Sequence, residues 1–132
     1  MVLDTSAVVA IIRKEAESKM FASAIENAPL CLLSAGSLLE ASIVLETALG
    51  PEGVREMDAF IASAAVEVQA FDAEQAIIAR EAYHRFGKGH HPAALNLGDC
   101  FAYALAMATG YPLLYKGNDF EKTDVASAAP AE

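Results

Sequence analysis

The chain has 132 residues, a length that suits one compact domain with a single hydrophobic core. Its 18 acidic residues against nine lysines and arginines give a formal net charge of −9, which argues against nucleic-acid binding over a broad basic surface. Apolar residues make up 55% of the sequence and the mean hydropathy is +0.31. This is high for a small soluble protein, so we expect a partner or a second copy to cover part of the surface.

Several other protein classes are excluded by local patterns. The longest stretch without a charge, residues 100–115, is shorter than the roughly 20 apolar residues of a membrane-spanning helix. Asp4 interrupts the apolar start of the chain, so we expect no signal peptide and a cytoplasmic protein. Cys31 and Cys100 lie far apart in apolar runs without CxxC spacing, which predicts two buried reduced thiols and neither zinc nor a disulfide.

The first half of the chain alternates short apolar runs with helical patterns. A strand is predicted over residues 1–4 and a helical pair over residues 6–13 and 15–28, which a proline ends. A buried strand over 30–33 precedes a serine-capped helix that runs to residue 49.

The second half repeats this alternation. A helix over 52–65, a strand over 66–70 and a helix from Asp72 to Gly87 are followed by a loop over 88–97. A nearly uncharged helix over 98–109 and a short strand over 112–115 come next, with an edge strand at 124–126. We expect residues 1–126 to form a single α/β domain with a mostly parallel sheet covered on both faces, and residues 127–132 to be a disordered tail.

Four acidic residues lie at the edges of apolar runs, namely Asp4, Glu40, Asp99 and Asp119. Ligands bind open α/β sheets beyond the carboxyl ends of the strands, where three of these acids are predicted. Glu40 lies about 9 Å along its helix, within reach of the same edge. Several buried carboxylates need a shared cation, and Mg²⁺ or Mn²⁺ prefers their oxygens. The sequence therefore predicts a magnesium site, in which manganese can substitute, that acts on phosphate esters.

Each of these acids also has an ordinary structural explanation. Asp4 can cap the following helix, Asp99 can form a capping box with Asn96, and Asp119 can form a turn with its neighbour. Glu40 resists such an explanation, because its helix is apolar nearly all round and carries no lysine or arginine.

Three polar residues near these acids have alternative roles. The hydroxyls of Thr5 and Ser6 and the amide of Asn118 can contact a metal-bound water or a phosphate, although helix capping explains the hydroxyls equally well. Two further acids are left out of the site, since Asp72 reads as a simple helix cap and Glu46 points about 240° away from Glu40.

A basic segment spans residues 80–91. Arg80, His84 and Lys88 fall at i, i+4 and i+8 on one helix face, so this face can bind nucleic acid locally. A solvated helix face followed by a loop explains the pattern at least as well.

Four segments together resemble a known family: DTSA, SAGSLLEASIVLE, LGDCFAYALA and LLYKGNDFEKTDV. They are similar to the PIN-domain ribonucleases, specifically the VapC toxins of bacterial toxin–antitoxin pairs. The resemblance implies a three-layer α/β/α sandwich, a homodimer, metal-dependent cleavage of RNA and a small VapB-type antitoxin that covers the site. It also implies that Asp4, Glu40, Asp99 and Asp119 are the metal-binding carboxylates, with Asp124 as a lesser candidate.

Two other functions stay open at the level of the sequence. A phosphohydrolase that uses Asp4 as its nucleophile normally has a second acid two residues later, where this chain has Ser6. A non-catalytic module with a PIN-like fold normally lacks some of the four acids, which this chain retains.

Overall fold

The computed structural model describes residues 1–128, which form four short strands and six α-helices. The strands are β1 (Val2–Leu3), β2 (Leu32–Ser34), β3 (Glu67–Gln69) and β4 (Leu113–Leu114). The helices are α1 (Thr5–Ile12), α2 (Ser18–Asn27), α3 (Ala35–Leu49), α4 (Pro51–Ser63), α5 (Ala73–Phe86) and α6 (Leu97–Thr109). A 3₁₀ helix follows at Phe120–Lys122. No helix within residues 1–128 is long and apolar enough to cross a membrane.

The strands form one parallel sheet in the order β3-β2-β1-β4. Val2 in β1 pairs with Leu32 on one side and Leu113 on the other, so β1 lies in the interior of the sheet. The predicted α/β class with a parallel sheet is confirmed. Because all strands run the same way, their carboxyl ends, including the end of β1 at Asp4, meet at one edge.

Alternate residues of the central strands enter two separate hydrophobic cores. Val2, Leu32 and Leu113 pack on one face with residues of α5 and α6. Their neighbours Leu3, Leu33 and Leu114 pack on the other face with residues of the first four helices. The period of two in a strand sends successive side chains to opposite faces, and both faces are buried here. The result is the predicted three-layer α/β/α sandwich.

The carboxyl-terminal segment differs from its prediction. Ser127 was expected in a disordered tail, but it forms a parallel bridge with Leu113, and the amide of Ala128 donates to the Leu113 carbonyl. The exposed edge of β4 thus pairs with residues just after the predicted edge strand at 124–126. Residues 129–132 of the predicted tail lie outside the described part of the chain, and the boundary of the domain at residue 126 stays a prediction.

Most predicted helix ends agree with the structure to within a few residues. Asp72 caps α5, as predicted, and accepts a hydrogen bond from the Gln75 amide at 2.8 Å. Helix α5 ends at Phe86, so Lys88 lies beyond it and not on its face as the spacing suggested. Cys31 and Cys100 are both buried and are not joined by a disulfide.

Candidate metal centre

Asp4 lies directly after β1 and caps α1. Its Oδ2 atom accepts hydrogen bonds from the amide of Ser6 at 3.0 Å and from the hydroxyl of Ser6 at 2.6 Å. The same hydroxyl accepts a hydrogen bond from the backbone amide of Lys116, which follows β4. Ser6 therefore links the first strand to the segment after the last one and fixes the orientation of the Asp4 carboxylate.

The other oxygen of Asp4 is left without a partner. Asp4 is only 3% exposed, and its Oδ1 atom has no hydrogen-bond partner among residues 1–128. Burial raises the pKa of Asp4 from 3.8 to about 7, although the hydrogen bonds from Ser6 lower it. The negative charges of Asp99 and Glu40 raise this pKa further. A buried carboxylate oxygen in this state gains most from a cation.

Asp99 lies in the first turn of α6, where it forms the predicted capping box with Asn96. The Asp99 Oδ2 atom accepts from the Asn96 amide at 3.0 Å, and the Asn96 side chain accepts from the Asp99 amide at 2.9 Å. Burial raises the pKa of Asp99, against the hydrogen bond from Asn96, and the charges of Glu40 and Asp119 raise it further. Asp99 therefore has a structural role and also lies within electrostatic range of the other acids.

Glu40 lies over the start of α6. A Cβ atom added to Gly98 would be 1.7 Å from Oε2 of Glu40 and 2.4 Å from Oε1, so the carboxylate occupies the space beside this glycine. Glu40 is half-buried, and its carboxylate makes no hydrogen bond or ion pair with any of residues 1–128. Its side chain is therefore free to turn toward a ligand.

Asp119 follows β4 and precedes the 3₁₀ helix, and its side chain is exposed. Its charge contributes to the raised pKa of Asp99. The four predicted acids are thus connected by mutual repulsion, with Asp4 buried, Asp99 half-buried and Asp119 at the solvent side. The structure brings these acids to the predicted edge of the sheet.

The arrangement fits a divalent cation in its chemistry. No ion pair among residues 1–128 engages any of the four acids, and the nearby Lys116 directs its ammonium to Glu15 and Glu17. As the side chains stand, no three His, Cys, Asp or Glu residues in the described part of the chain are arranged to hold an ion. Binding would therefore require side-chain movement, which the unbonded Glu40 and the exposed Asp119 permit.

Other residues considered from the sequence lie outside this group or serve the fold. The Thr5 hydroxyl donates to the Ser37 carbonyl at 3.3 Å, which explains this side chain structurally. Asp124 accepts a hydrogen bond from the Tyr103 hydroxyl at 2.5 Å and forms an ion pair with Arg85 at 3.4 Å, so its carboxylate is already engaged. Glu46 and Asn118 are exposed. A contact of the Asn118 amide with a metal-bound water or a phosphate stays a prediction.

Two supporting residues were not given their roles by sequence reasoning. Ser6 appeared there only as a hydroxyl with two equal explanations, whereas it holds Asp4 through two hydrogen bonds. Gly98 was not singled out, although a glycine beside an acid in the first turn of a helix is a signal of close approach. Its lack of a side chain makes room for the Glu40 carboxylate.

Comparison with known proteins identifies the family. The model of the PIN-domain family matches residues 1–126. Ribonuclease VapC30 of Mycobacterium tuberculosis is 47% identical over 129 residues, which cover 98% of this chain and 98% of that protein. The chain belongs to the VapC ribonucleases of the PIN-domain family. The resemblance carried by the four sequence segments is confirmed.

Solved VapC structures share the fold of this VapC-family chain. VapC20 of Mycobacterium tuberculosis, described as a sarcin-ricin loop cleaving toxin, superposes with a TM-score of 0.81 at 19% identity and covers 98% of both chains. VapBC2 of Rickettsia felis, solved bound to a DNA fragment from its promoter, gives a TM-score of 0.72 at 16% identity, with 96% of this chain and 94% of that chain covered. At these identities the likeness establishes the fold alone.

Proposed function

We propose that this protein is an Mg²⁺- or Mn²⁺-dependent endoribonuclease that acts as the toxin of a toxin–antitoxin pair. The observation that carries the proposal is the buried Asp4 carboxylate, whose Oδ1 atom has no partner among residues 1–128 and which is repelled by two neighbouring acids. Membership of the VapC ribonucleases supports RNA as the substrate. Asp4, Glu40, Asp99 and Asp119 are the proposed metal ligands.

The side chains of the four acids differ in how firmly they are held, and we infer a different role in metal binding for each pair. When bound, a divalent ion supplies an acidified water for attack on phosphorus and neutralises charge on the phosphate. Ser6 and Asn96 hold Asp4 and Asp99 in place, so these two carboxylates define the position of the cation. Glu40 and Asp119 complete the ligand set by moving toward it, and Asp119 lies where the RNA arrives from solvent.

An antitoxin protein is the proposed regulator. The VapBC2 structure, which shares this fold, is a complex of a VapC protein with its VapB partner. The four acids form no ion pair with a cation among residues 1–128, so they attract a basic side chain of such a partner as they attract a metal ion. Addition of the cognate VapB-type protein should therefore stop cleavage. The proposed place of action is the cytoplasm, where cellular RNA is found.

A homodimer is proposed from the outer face of α3. Leu39 and Ile43 are 62% and 56% exposed, and Val44 beside them is 37% exposed. Three large apolar side chains on one helix surface are typical of an interface between subunits. Sedimentation of the purified protein should give twice the monomer mass, and Ile43→Glu should shift it toward the monomer.

The proposed activity is tested by incubating purified, partner-free protein with a mixed pool of small RNAs in Mg²⁺, Mn²⁺ or EDTA. We expect discrete fragments with either metal and none in EDTA. Asp99→Asn should lose this cleavage, because a neutral amide cannot replace a carboxylate ligand. Glu46→Gln is the matched control, since Glu46 lies on α3 outside the acid group and its loss should leave cleavage unchanged.

Two results would contradict the proposal. Fragments of equal yield from Asp99→Asn would trace the activity to a contaminant. A folded wild-type protein that binds Mn²⁺ but cuts no RNA in the pool would contradict the proposed ribonuclease function.

A further inference from the structure

A cleft of about 560 Å³ opens between α5 and the start of α6, and Phe71 in the segment after β3 also lines it. Six of the residues that line it give it its chemistry: Phe71, Arg80, Tyr83, Lys88, Asn96 and Phe101. The volume is in the range of small-molecule sites in proteins. No catalytic acid lines this cleft.

The two cations of the cleft are unpaired. The side chains of Arg80 and Lys88 are exposed and form no ion pair or hydrogen bond with any of residues 1–128. Arg55, Arg85 and Lys116 are neutralised by acidic side chains, and the other cations without an ion pair among residues 1–128 lie outside this cleft. In a chain with a net charge of −9, two free cations that line one apolar cleft create a local site for an anion.

Aromatic rings form the apolar part of the same cleft. Phe71 and Phe101 meet edge to face with their ring centres 4.7 Å apart, and both are half-buried. Tyr83 is 44% exposed and is held by a similar contact with His90, whose ring centre is 5.8 Å away. Tyr83 is the most exposed of these rings, and bases stack on exposed rings with little dependence on sequence.

The cleft adjoins a depression that one of the four acids lines. A second depression on the other side of the α6 start shares Asn96, Leu97 and Phe101 with the cleft, and Glu40 lines it. Asn96 also forms the capping box with Asp99. The cleft and two of the acids, Glu40 and Asp99, therefore all lie at the start of α6.

We propose that this cleft binds an unpaired nucleotide of the RNA substrate that flanks the scissile phosphodiester. Its base stacks on the aromatic rings, and its phosphate is bound by Arg80 and Lys88. The inference rests on the proposed ribonuclease function and adds the position of a substrate subsite. It also explains how an acidic chain holds a polyanion, since the cleft offsets locally the repulsion by the acids.

Charge favours RNA over the other occupants of an apolar cleft. The antitoxin segment that neutralises the acid group is expected to be basic, and Arg80 and Lys88 repel it. A second copy of the chain can bind instead to the exposed apolar side chains of α3, a surface that carries no unpaired cations. A nucleotide combines the stacking surface and the negative charge that the cleft complements.

The test measures binding of a short, unstructured, fluorescein-labelled RNA in EDTA, so that cleavage does not interfere. Arg80→Ala with Lys88→Ala should weaken binding at least tenfold and reduce the slope of log affinity against log salt by about 1.4, as expected for two lost contacts to single-strand phosphates. Tyr83→Leu should weaken binding about fivefold or more without changing the salt slope. Arg13→Ala with Lys19→Ala removes the same two side-chain types from exposed positions outside the cleft and should change neither quantity.

Cleavage and sedimentation separate this inference from its alternatives. If the Arg80 and Lys88 double variant keeps wild-type RNA affinity, salt slope and cleavage, the inference is wrong while the ribonuclease function stands. If that variant binds RNA normally but loses self-association or antitoxin binding, the cleft belongs to a protein interface and the inference is again overturned. Absence of any RNA cleavage by the wild type would instead refute the proposed function.

Discussion

The most specific consequence of the site concerns the stability of the metal-free protein when Asp4 is replaced by Asn. Burial raises the pKa of Asp4 from 3.8 to about 7, so between these values the folded protein holds a proton that the unfolded chain releases. Stability must therefore fall as the pH rises through this window, and it reaches its full loss of about 4 kcal/mol above pH 7. Asparagine does not titrate, so the variant escapes this loss.

The pH dependence of the effect is more informative than its size at any one pH. Replacing the orphan oxygen by an amide NH₂ leaves a buried donor unpaired, which costs about 1–3 kcal/mol at every pH. The difference in unfolding free energy between variant and wild type should nevertheless grow by about 2.5 kcal/mol between about pH 5 and pH 8. For a chain of this size the melting temperatures should diverge by about 10 °C over the same interval.

The assay is thermal and urea unfolding in EDTA at several pH values, with Asp72→Asn as the control. Asp72 is also an aspartate that caps a helix, but its side chain is exposed and lies outside the acid group. Its substitution should lower stability by a nearly constant amount across the range. A constant difference between Asp4→Asn and wild type would refute the idea that a buried, repelled carboxylate limits the stability of the metal-free protein.

Three further predictions concern the residues around Asp4. Gly98→Ala should displace the Glu40 carboxylate, whose Oε2 atom lies 1.7 Å from the added Cβ. A calorimetric titration should then show Mn²⁺ binding weakened about tenfold. The melting temperature should change little, because the displaced group is the end of a flexible side chain. Ser6→Ala removes the hydroxyl hydrogen bond that lowers the pKa of Asp4 and keeps the backbone one, so this pKa rises and the midpoint of Mn²⁺ binding should move to higher pH; an unmoved midpoint would contradict the assigned role of the Ser6 hydroxyl. Asp124→Asn should leave cleavage intact and cost only stability, since its carboxylate bonds to Tyr103 and Arg85.

The fold was predictable because three of its four strands, β1, β2 and β4, are short, uncharged and buried, which separates them clearly from the amphipathic helices. The spacing that places Lys88 on the face of α5 gives a wrong prediction, since the helix ends at Phe86 and Gly87 after it is extended. The pairing of Ser127 with Leu113 could not be foreseen either, because the segment has no apolar alternation and its bonds come from the free edge of β4.

The candidate site was predictable only as a set of residues. Asp4 and Asp99 follow from strand and helix ends, which the sequence marks with small polar neighbours. The packing of Glu40 against Gly98 depends on how closely α3 approaches α6, and no local pattern encodes that approach. The cleft beside Arg80 likewise joins residues of α5 and α6 with residues of the segments before and after α5, which periodicity treats separately.

The most direct test of the account measures Mn²⁺ binding by electron paramagnetic resonance and RNA cleavage on the same antitoxin-free preparation. The four-carboxylate site predicts that both rise over the same range of Mn²⁺ concentration, and that Asp4→Asn loses both while remaining folded. Cleavage that persists in EDTA, or that survives in Asp4→Asn after Mn²⁺ binding is lost, would contradict a metal-dependent ribonuclease built on these acids.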